Sequence, residues 1–146
     1  MRIHCLGVLL CLTAASKGTA QTAADSTAIV ATAHDYIDGW YEGDAVRMER
    51  ALHPHLAKRL VYSDKASGHS RLVEVSALDL VQGSKLGYGK IPAEERKDAV
   101  TIFDIFGNAA IAKIEATAWV DYLQLIKWDG HWLIINVVWE NRPKAP

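Results

Sequence analysis

Four side chains carry the chemistry that this sequence could perform: Asp121, Asn136, Tyr36 and Trp40. Asp121 shares its predicted strand face with Leu123 and Leu125, and burial there would favour the protonated form of its carboxyl group, as general acid or base chemistry near neutrality requires. An Asp at the rim of a sheet, solvated or bonded to backbone, is the plainer alternative. Asn136 would anchor a ligand, while Tyr36 and Trp40 on one helix face would form an apolar wall with a phenolic donor. The pattern predicts a ligand pocket, with Asp121 as its candidate catalytic residue.

Two further residues complete the predicted pocket, and the histidines do not add a metal. Leu123 is an apolar neighbour of Asp121 on the same strand face. His53 and His55 flank a proline and offer two nitrogens, too few for a metal site without a third ligand. His53 therefore either hydrogen-bonds locally or contributes to the ligand pocket. We predict no metal and no cofactor.

The N-terminal segment predicts export. A basic start, a short apolar run and small residues up to Ala20 are typical of a signal peptide, here residues 1–20, cleaved after Ala20. The apolar run is too short to anchor the chain in a membrane. Both cysteines, Cys5 and Cys11, lie in this segment, so the mature chain has no thiol for catalysis or metal binding. We expect a periplasmic or secreted protein.

Charge and size exclude other classes. The 146 residues are half apolar and carry a formal net charge of −1, which suits one compact domain. Nucleic acids and anionic membranes select basic patches, so neither is expected as a partner. A small apolar or aromatic molecule is the expected partner.

Hydrophobic periodicity divides the chain into a helical half and a strand half. Residues 21–26 are polar and predict a disordered leader, with Asp25 or Ser26 capping the first helix. Apolar residues then recur at steps of three and four up to Gly43, as a buried helix face requires. From Asp98 the period is two, which indicates strands. The predicted elements are helices at about 27–43, 44–52 and 73–86, a short strand at 59–63, and strands at 100–106, 109–117, 119–128 and 131–140.

These elements predict an α+β domain over residues 27–142, followed by a tail at 143–146. Two to three N-terminal helices would pack on a strongly curved antiparallel β-sheet, a cone-shaped half-barrel. The dipeptides at 107–108 and 129–130 are two-residue hairpin turns. Continued through the second turn, the register pairs Leu123 with Asn136 and puts both on the concave face with Asp121.

The two faces of the predicted sheet have different compositions. The concave face carries a row of alanines, Ala110, Ala112 and Ala116, which either leaves space for a ligand cavity or admits a helix at close range. The outer face is apolar, as an interface would be, and predicts a homodimer. Its predicted members are Tyr122, Ile126, Trp128, Leu133, Ile135, Val137 and Trp139.

Several short motifs resemble the nuclear transport factor 2-like superfamily, and within it the lumazine-binding group. They are Tyr36, Gly39-Trp40-Tyr41-Glu42-Gly43-Asp44, Leu52-His53-Pro54, Gly107-Asn108-Ala109-Ala110, Asp121-Tyr122-Leu123 and Lys127-Trp128-Asp129-Gly130-His131-Trp132. The resemblance covers about residues 27–141 and implies a cystatin-like fold and dimers joined through the outer sheet face. It implies functions that include isomerases, dehydratases, polyketide cyclases, immunity proteins and ligand binders. Its ketosteroid isomerase members pair a carboxylate base with Tyr and protonated Asp donors, and no second acid stands beside Asp121 and Tyr36 here.

Three functions remain open at this point. An exported small-molecule-binding protein with an apolar pocket on the concave sheet face needs only a cavity and polar anchors. A lyase or isomerase needs Asp121 buried as general acid or base, with a donor facing it. A dimeric interaction module would use the outer face and have a filled interior.

Overall fold

The computed structural model describes residues 18–143, with side chains from residue 23. In this range an α+β fold packs three helices, α1 (Gly18–Glu42), α2 (Ala45–Ala51) and α3 (Ala77–Leu86), on one six-stranded sheet. The strands are β1 (Leu52–Ser63), β2 (Ser70–Ser76), β3 (Asp98–Phe106), β4 (Ala109–Ala116), β5 (Trp119–Trp128) and β6 (His131–Asn141). Their order is β2-β1-β6-β5-β4-β3, and β1 runs parallel to β6. The sheet is therefore mixed, where the sequence predicted a purely antiparallel one.

Helix α1 begins earlier than predicted. Its bounds place residues 21–26 in the helix, in place of the predicted disordered leader, and Asp25 is not its cap. Asp25 is 6% exposed and accepts hydrogen bonds from Lys127 and Trp132, so a contact with the sheet holds this part of the helix. Residues 1–17 and 144–146, with most of the predicted signal peptide and tail, lie outside the described residues.

Helix α2 and strand β1 follow from short signals in the sequence. Gly43 ends α1 with φ +70°, and the Asp44 carboxylate caps α2 by accepting from the backbone of Val46 and Arg47. Strand β1 starts at Leu52 and is longer than the strand predicted at 59–63. Pairing with β6 and with β2 on its two sides accounts for this length.

Residues 70–76, whose last four were predicted to begin the third helix, form strand β2. They pair antiparallel with β1, from Ser63 opposite Ser70 to Ala57 opposite Ser76. The helix starts only after Ser76, whose hydroxyl accepts from the backbone of Asp79 while the Asp79 carboxylate accepts from the backbone of Ser76. This capping box sets the boundary between strand and helix.

A β-bulge in β6 changes the register that the sequence predicted. The Asp129-Gly130 turn forms, and Leu125 pairs with Ile134 as expected, but Ile135 is an extra residue and Gln124 pairs with Asn136. Because side chains alternate between faces, one extra residue moves all later residues of β6 to the opposite face. Asp121 consequently pairs with Trp139, and not with Val138.

A second bulge lies in β3 and leaves one large apolar residue exposed. Ile102 pairs with Ala112 and Asp104 with Ile111, which leaves Phe103 outside the ladder and 53% exposed. The core lies between the helices and the concave face of the sheet, where the fully buried side chains include Ile29, Ile37, Met48, Ile114, Leu123 and Ile134. None of the helices in residues 18–143 has the length and apolar character needed to cross a membrane.

Candidate functional site

A buried polar cluster joins helix α1 to the sheet. Nζ of Lys58 donates to Oδ1 of Asp121 and to the hydroxyl of Tyr36, each at 2.6 Å. The Tyr36 hydroxyl donates to Oδ2 of Asp121 at 3.2 Å, and Nε1 of Trp119 donates to the same oxygen at 2.6 Å. Asp121 is fully buried, and the Lys58 side chain is 8% exposed. We call these four residues the Lys58 cluster.

Strand alternation and helix periodicity bring the cluster together. In β1 the buried residues Leu56, Lys58 and Leu60 alternate, so the lysine occupies a position of the core face. Tyr36 lies on the buried face of α1, one helical turn before Trp40. Asp121 belongs to the buried phase of β5. The lysine and the carboxylate thus meet across the concave face, although 63 residues separate them in the chain.

The Lys58 cluster forms part of the wall of a cavity of about 380 Å³. This volume lies in the range of small-molecule sites. Helices α1 and α3, strands β1, β2, β5 and β6 and the segment after α3 all contribute to it. Its lining residues are Tyr36, Trp40, Lys58, Val75, Leu80, Tyr88, Trp119 and Trp139. Five of the eight are aromatic, so the cavity is an apolar chamber with one amine in its wall.

Three aromatic rings lie near the amine. Nζ of Lys58 lies 4.9 Å from the ring centroid of Trp139, 5.4 Å from that of Tyr36 and 5.8 Å from that of Trp119. An ammonium is attracted to the faces of such rings, which compensates part of its loss of water. Nε1 of Trp139 is buried and has no hydrogen-bond partner among the described residues.

Burial and the ion pair act in opposite directions on the lysine. Desolvation lowers the pKa of Lys58 from its ordinary value of 10.5, while the charge of Asp121 and the hydrogen bond to it oppose this shift. Burial raises the pKa of Tyr36 well above 10, and the neighbouring carboxylate adds to the effect. Tyr36 therefore stays a neutral phenol that donates to Asp121.

Glycines allow Trp40 to pack tightly in the cavity wall. A side chain at Gly89 would overlap the indole of Trp40, and one at Gly83 would lie 2.9 Å from Cζ3 of that ring. Helix α3 ends at Gly87, with φ +75° and backbone bonds from Gly87 and the next residue back to Ser84 and Gly83. This turn places Tyr88, which is 74% exposed, at the edge of the cavity.

Three of the predicted site residues meet at this place. Tyr36 and Trp40 line the cavity, and Asp121 lies behind them as the acceptor of three hydrogen bonds. Leu123 is fully buried in the core and does not line the aromatic cavity.

The other two predicted residues lie elsewhere. Asn136 is on the outer face, where its amide donates to Gln124 at 3.0 Å, because the bulge at Ile135 reverses its direction. His53 is buried in β1, accepts from the backbone of His55 at Nδ1 and meets the ring of Trp128 edge-on at 5.1 Å. Neither residue lines the cavity.

Sequence reasoning missed Lys58, Trp119 and Trp139. The position of Lys58 between Leu56 and Leu60, at the two-residue step of a strand, was the signal for an inward-facing lysine. Trp139 was assigned to the outer face together with Val137, and the bulge turns both inward. The row of alanines is buried in the core against helix α1, so there it reflects close packing and not the cavity.

One cluster of possible metal ligands occurs in the part of the chain with described side chains. His34, Asp38 and Asp98 bring one ligand atom each to within 4.8 Å of one another. The guanidinium of Arg47 donates to Asp38 at 2.7 Å, so a cation already neutralises one of the two carboxylates. The cluster is partly exposed, and none of its three residues lines the aromatic cavity.

Comparisons with known proteins agree with this architecture. Residues 24–140 match the family described as "Putative lumazine-binding". An NTF2-like protein of unknown function from Shewanella baltica has a TM-score of 0.70 and 23% identity, over 84% of this chain and 97% of the other. A second, from Silicibacter pomeroyi, has a TM-score of 0.68 and 18% identity, over 83% and 98%.

A more distant solved structure has the same fold. A protein of unknown function with a cystatin-like fold from Nostoc punctiforme has a TM-score of 0.59 and 14% identity, over 85% of this chain and 96% of the other. No curated protein matches the chain. At these identities the likeness to the solved structures concerns the fold alone.

Proposed function

The chain belongs to the "Putative lumazine-binding" family of NTF2-like proteins, and on that premise we propose that it binds a small apolar or aromatic molecule in the cavity beside Lys58. The observation that carries the proposal is the composition of this cavity. Aromatic rings form most of its wall, and the one charged group that lines it, Lys58, is held in place by Asp121 and Tyr36. Mostly apolar walls with a few fixed polar groups are typical of small-molecule sites.

A lyase or isomerase that uses Asp121 is less well supported. A general acid or base has to come within hydrogen-bond reach of the substrate. Asp121 is fully buried, does not line the cavity and already accepts bonds from Lys58, Tyr36 and Trp119. Its geometry suits a residue that positions Lys58 and Tyr36, so ligand binding is better supported at this site than catalysis by Asp121.

Filling the cavity tests the proposal. Val75 of β2 lines the cavity, and Leu72 of the same strand is 59% exposed. Val75→Phe should abolish binding of lumazine and other bicyclic aromatic probes, because the added ring occupies the space that a ligand needs. Leu72→Phe is the matched control and should bind as the wild type does. Fluorescence titration of the tryptophans in the wall measures both, and equal affinities in the two variants would contradict the proposal.

We also propose that the protein is exported, on the evidence of the N-terminal pattern. A basic start, an apolar run and small residues before the cut support cleavage after Ala20. The full chain, expressed in a Gram-negative host, should be recovered from the periplasmic fraction with Gln21 as its first residue. Intact mass spectrometry checks this, and an uncleaved cytoplasmic chain would contradict it.

A homodimer formed through the outer sheet face is the remaining part of the proposal. Exposed apolar side chains on this face support it, among them Ile111, Tyr122 and Val138, which line a groove of about 330 Å³. Tyr122→Glu should produce monomers, whereas Tyr62→Glu, on the β1–β2 hairpin, should leave the assembly unchanged. Sedimentation equilibrium at micromolar concentration decides, and a monomeric wild type would refute the dimer.

A further inference from the structure

Lys58 supplies a buried hydrogen-bond donor that remains available in the cavity wall. An ammonium has three N–H bonds, and among the described residues Lys58 directs two of them to Tyr36 and Asp121. Nε1 of Trp139 also has no acceptor among those residues, but it is buried and not open to the cavity. Both carboxylate oxygens of Asp121 are already engaged by Lys58, Tyr36 and Trp119. A ligand in this cavity therefore finds one unmet donor, the third N–H bond of Lys58.

We propose that the cavity selects planar aromatic compounds that carry an uncharged carbonyl oxygen, and that this oxygen accepts a hydrogen bond from Nζ of Lys58. The inference rests on the proposed binding function and specifies its ligand class. The rings of Trp40, Tyr88 and Trp119 provide apolar contact for the rest of the molecule.

Charge balance favours a carbonyl over a carboxylate or an amine. Lys58 and Asp121 are oppositely charged and 2.6 Å apart, so this wall of the cavity has no net charge. A ligand carboxylate would place a second negative charge in an apolar chamber where the one cation is already paired, and uncompensated buried charge is costly. A ligand ammonium would be repelled by Lys58 and would leave the third N–H bond of that lysine without an acceptor. A neutral carbonyl satisfies a donor and adds no charge.

Four probes with the same ring system test this selectivity on the wild-type chain. They are methyl naphthyl ketone, ethylnaphthalene, naphthoate and naphthylmethylamine as its cation, all substituted at the same ring position. We expect the ketone to bind roughly tenfold or more tightly than the hydrocarbon, as a bond to a charged donor allows, and both ions to bind more weakly than the ketone. The carbonyl stretching band of the bound ketone should also shift to lower frequency.

A paired variant identifies the donor. Lys58→Met combined with Asp121→Asn removes both charges together and leaves no unpaired ion, so the preference for the ketone and the infrared shift should disappear while the hydrocarbon still binds. Lys127→Met combined with Asp25→Asn makes the same replacements at a second Asp–Lys pair, away from the cavity, and should retain both signals. The infrared measurement on the wild type decides the matter even where the first variant does not fold.

The outcomes separate this inference from the function on which it rests. If the hydrocarbon binds but the ketone binds no better, the cavity is a ligand site and the carbonyl inference is wrong. If naphthoate or the amine binds most tightly, the inference is likewise overturned. If none of the four probes binds, the proposed function fails and the inference falls with it.

Discussion

Two clusters with the same residue types connect helix α1 to the sheet, and their surroundings differ. In the Lys58 cluster, Asp121 accepts from a lysine, a tryptophan and a tyrosine. In the other, which we call the Asp25 cluster, Oδ1 of Asp25 accepts from Nζ of Lys127 at 2.7 Å and from Nε1 of Trp132 at 2.9 Å. Both therefore present a carboxylate of the core to a lysine and an indole.

The difference lies in what surrounds the cation. The Lys127 side chain is 26% exposed, so water solvates part of its charge, whereas that of Lys58 is 8% exposed and lines the aromatic cavity. An ion pair that reaches solvent loses little hydration and acts as a clamp between helix and sheet. A buried ion pair depends on its protein partners to compensate for the hydration that its charges lose. In the Lys58 cluster, the N–H bond of the lysine that lacks a partner among the described residues is available to a ligand. The cavity beside the lysine, and not the residue types, therefore distinguishes the Lys58 cluster from the Asp25 cluster.

The largest predicted difference between the clusters concerns removal of the lysine. Lys58→Met should lower the free energy of unfolding by about 3–5 kcal/mol, because it leaves the Asp121 carboxylate buried without its cation. Lys127→Met should cost less, because the charge of Lys127 is already partly solvated and Asp25 keeps the hydrogen bond from Trp132. Urea unfolding measures both. Equal losses would show that burial of the cation does not separate the two clusters.

A smaller effect on stability is expected when a methyl group is added at a glycine that packs against the cavity wall. Gly89→Ala should cost roughly 1–3 kcal/mol, because its Cβ overlaps the indole of Trp40 and the ring has to move. The displaced ring should also weaken binding of aromatic probes. Gly68→Ala has φ +70° and no neighbour within 4 Å, so it should cost about 1 kcal/mol through backbone strain alone and leave probe binding unchanged. Unaltered binding in Gly89→Ala would remove Trp40 from the ligand site.

The smallest expected effect is the acid sensitivity of the Asp25 cluster. Hydrogen bonds from Lys127, and next from Trp132, lower the pKa of Asp25 from its ordinary value of 3.8. Because the folded chain holds this carboxylate ionised to lower pH than the unfolded chain does, the stabilisation is present above pH 3.8 and is lost as the pH falls through the folded pKa. The difference in unfolding free energy between wild type and Asp25→Asn should therefore shrink below pH 3.8.

Asp104→Asn is the control for this titration. Asp104 is exposed on β3, so Asp104→Asn makes the same chemical change at the surface, outside the Asp25 cluster. Urea titrations between pH 7 and pH 2 compare the two variants. A difference for Asp25→Asn that grows on acidification would contradict the clamp.

Local patterns predicted much of this fold. The apolar residues of α1 at steps of three and four, including Ile29, Ala33 and Ile37, are fully buried as that spacing required. The Asp129-Gly130 turn has φ +48° and +83°, the backbone that these two residues favour in a hairpin. Such features depend on residues a few positions apart, so the sequence contains them directly.

The parts of the candidate site that were missed depend on contacts across the chain. Tyr36, Trp40 and Asp121 could be predicted from the sequence, because they are polar or aromatic residues at positions on the apolar face of a helix or strand. Strand β2 and the parallel pairing of β1 with β6, which enclose the cavity, have no comparable local signal. The cavity consequently lies closer to β1 and α3 than the position beneath the alanine row at which the sequence predicted it.

The sequence by itself thus determined the family of folds, the buried face of helix α1 and the hairpin turns, and it indicated Asp121 as a candidate site residue. Only the tertiary structure decided that Lys58 is the partner of that carboxylate and that Trp139 faces the cavity while Asn136 faces outward. The physical reason is that strand alternation has a period of two, so the single extra residue at Ile135 reverses every later side chain. The bulge lies where β6 pairs with β5 on one side and with β1 on the other, and β1 is distant from β6 in the chain.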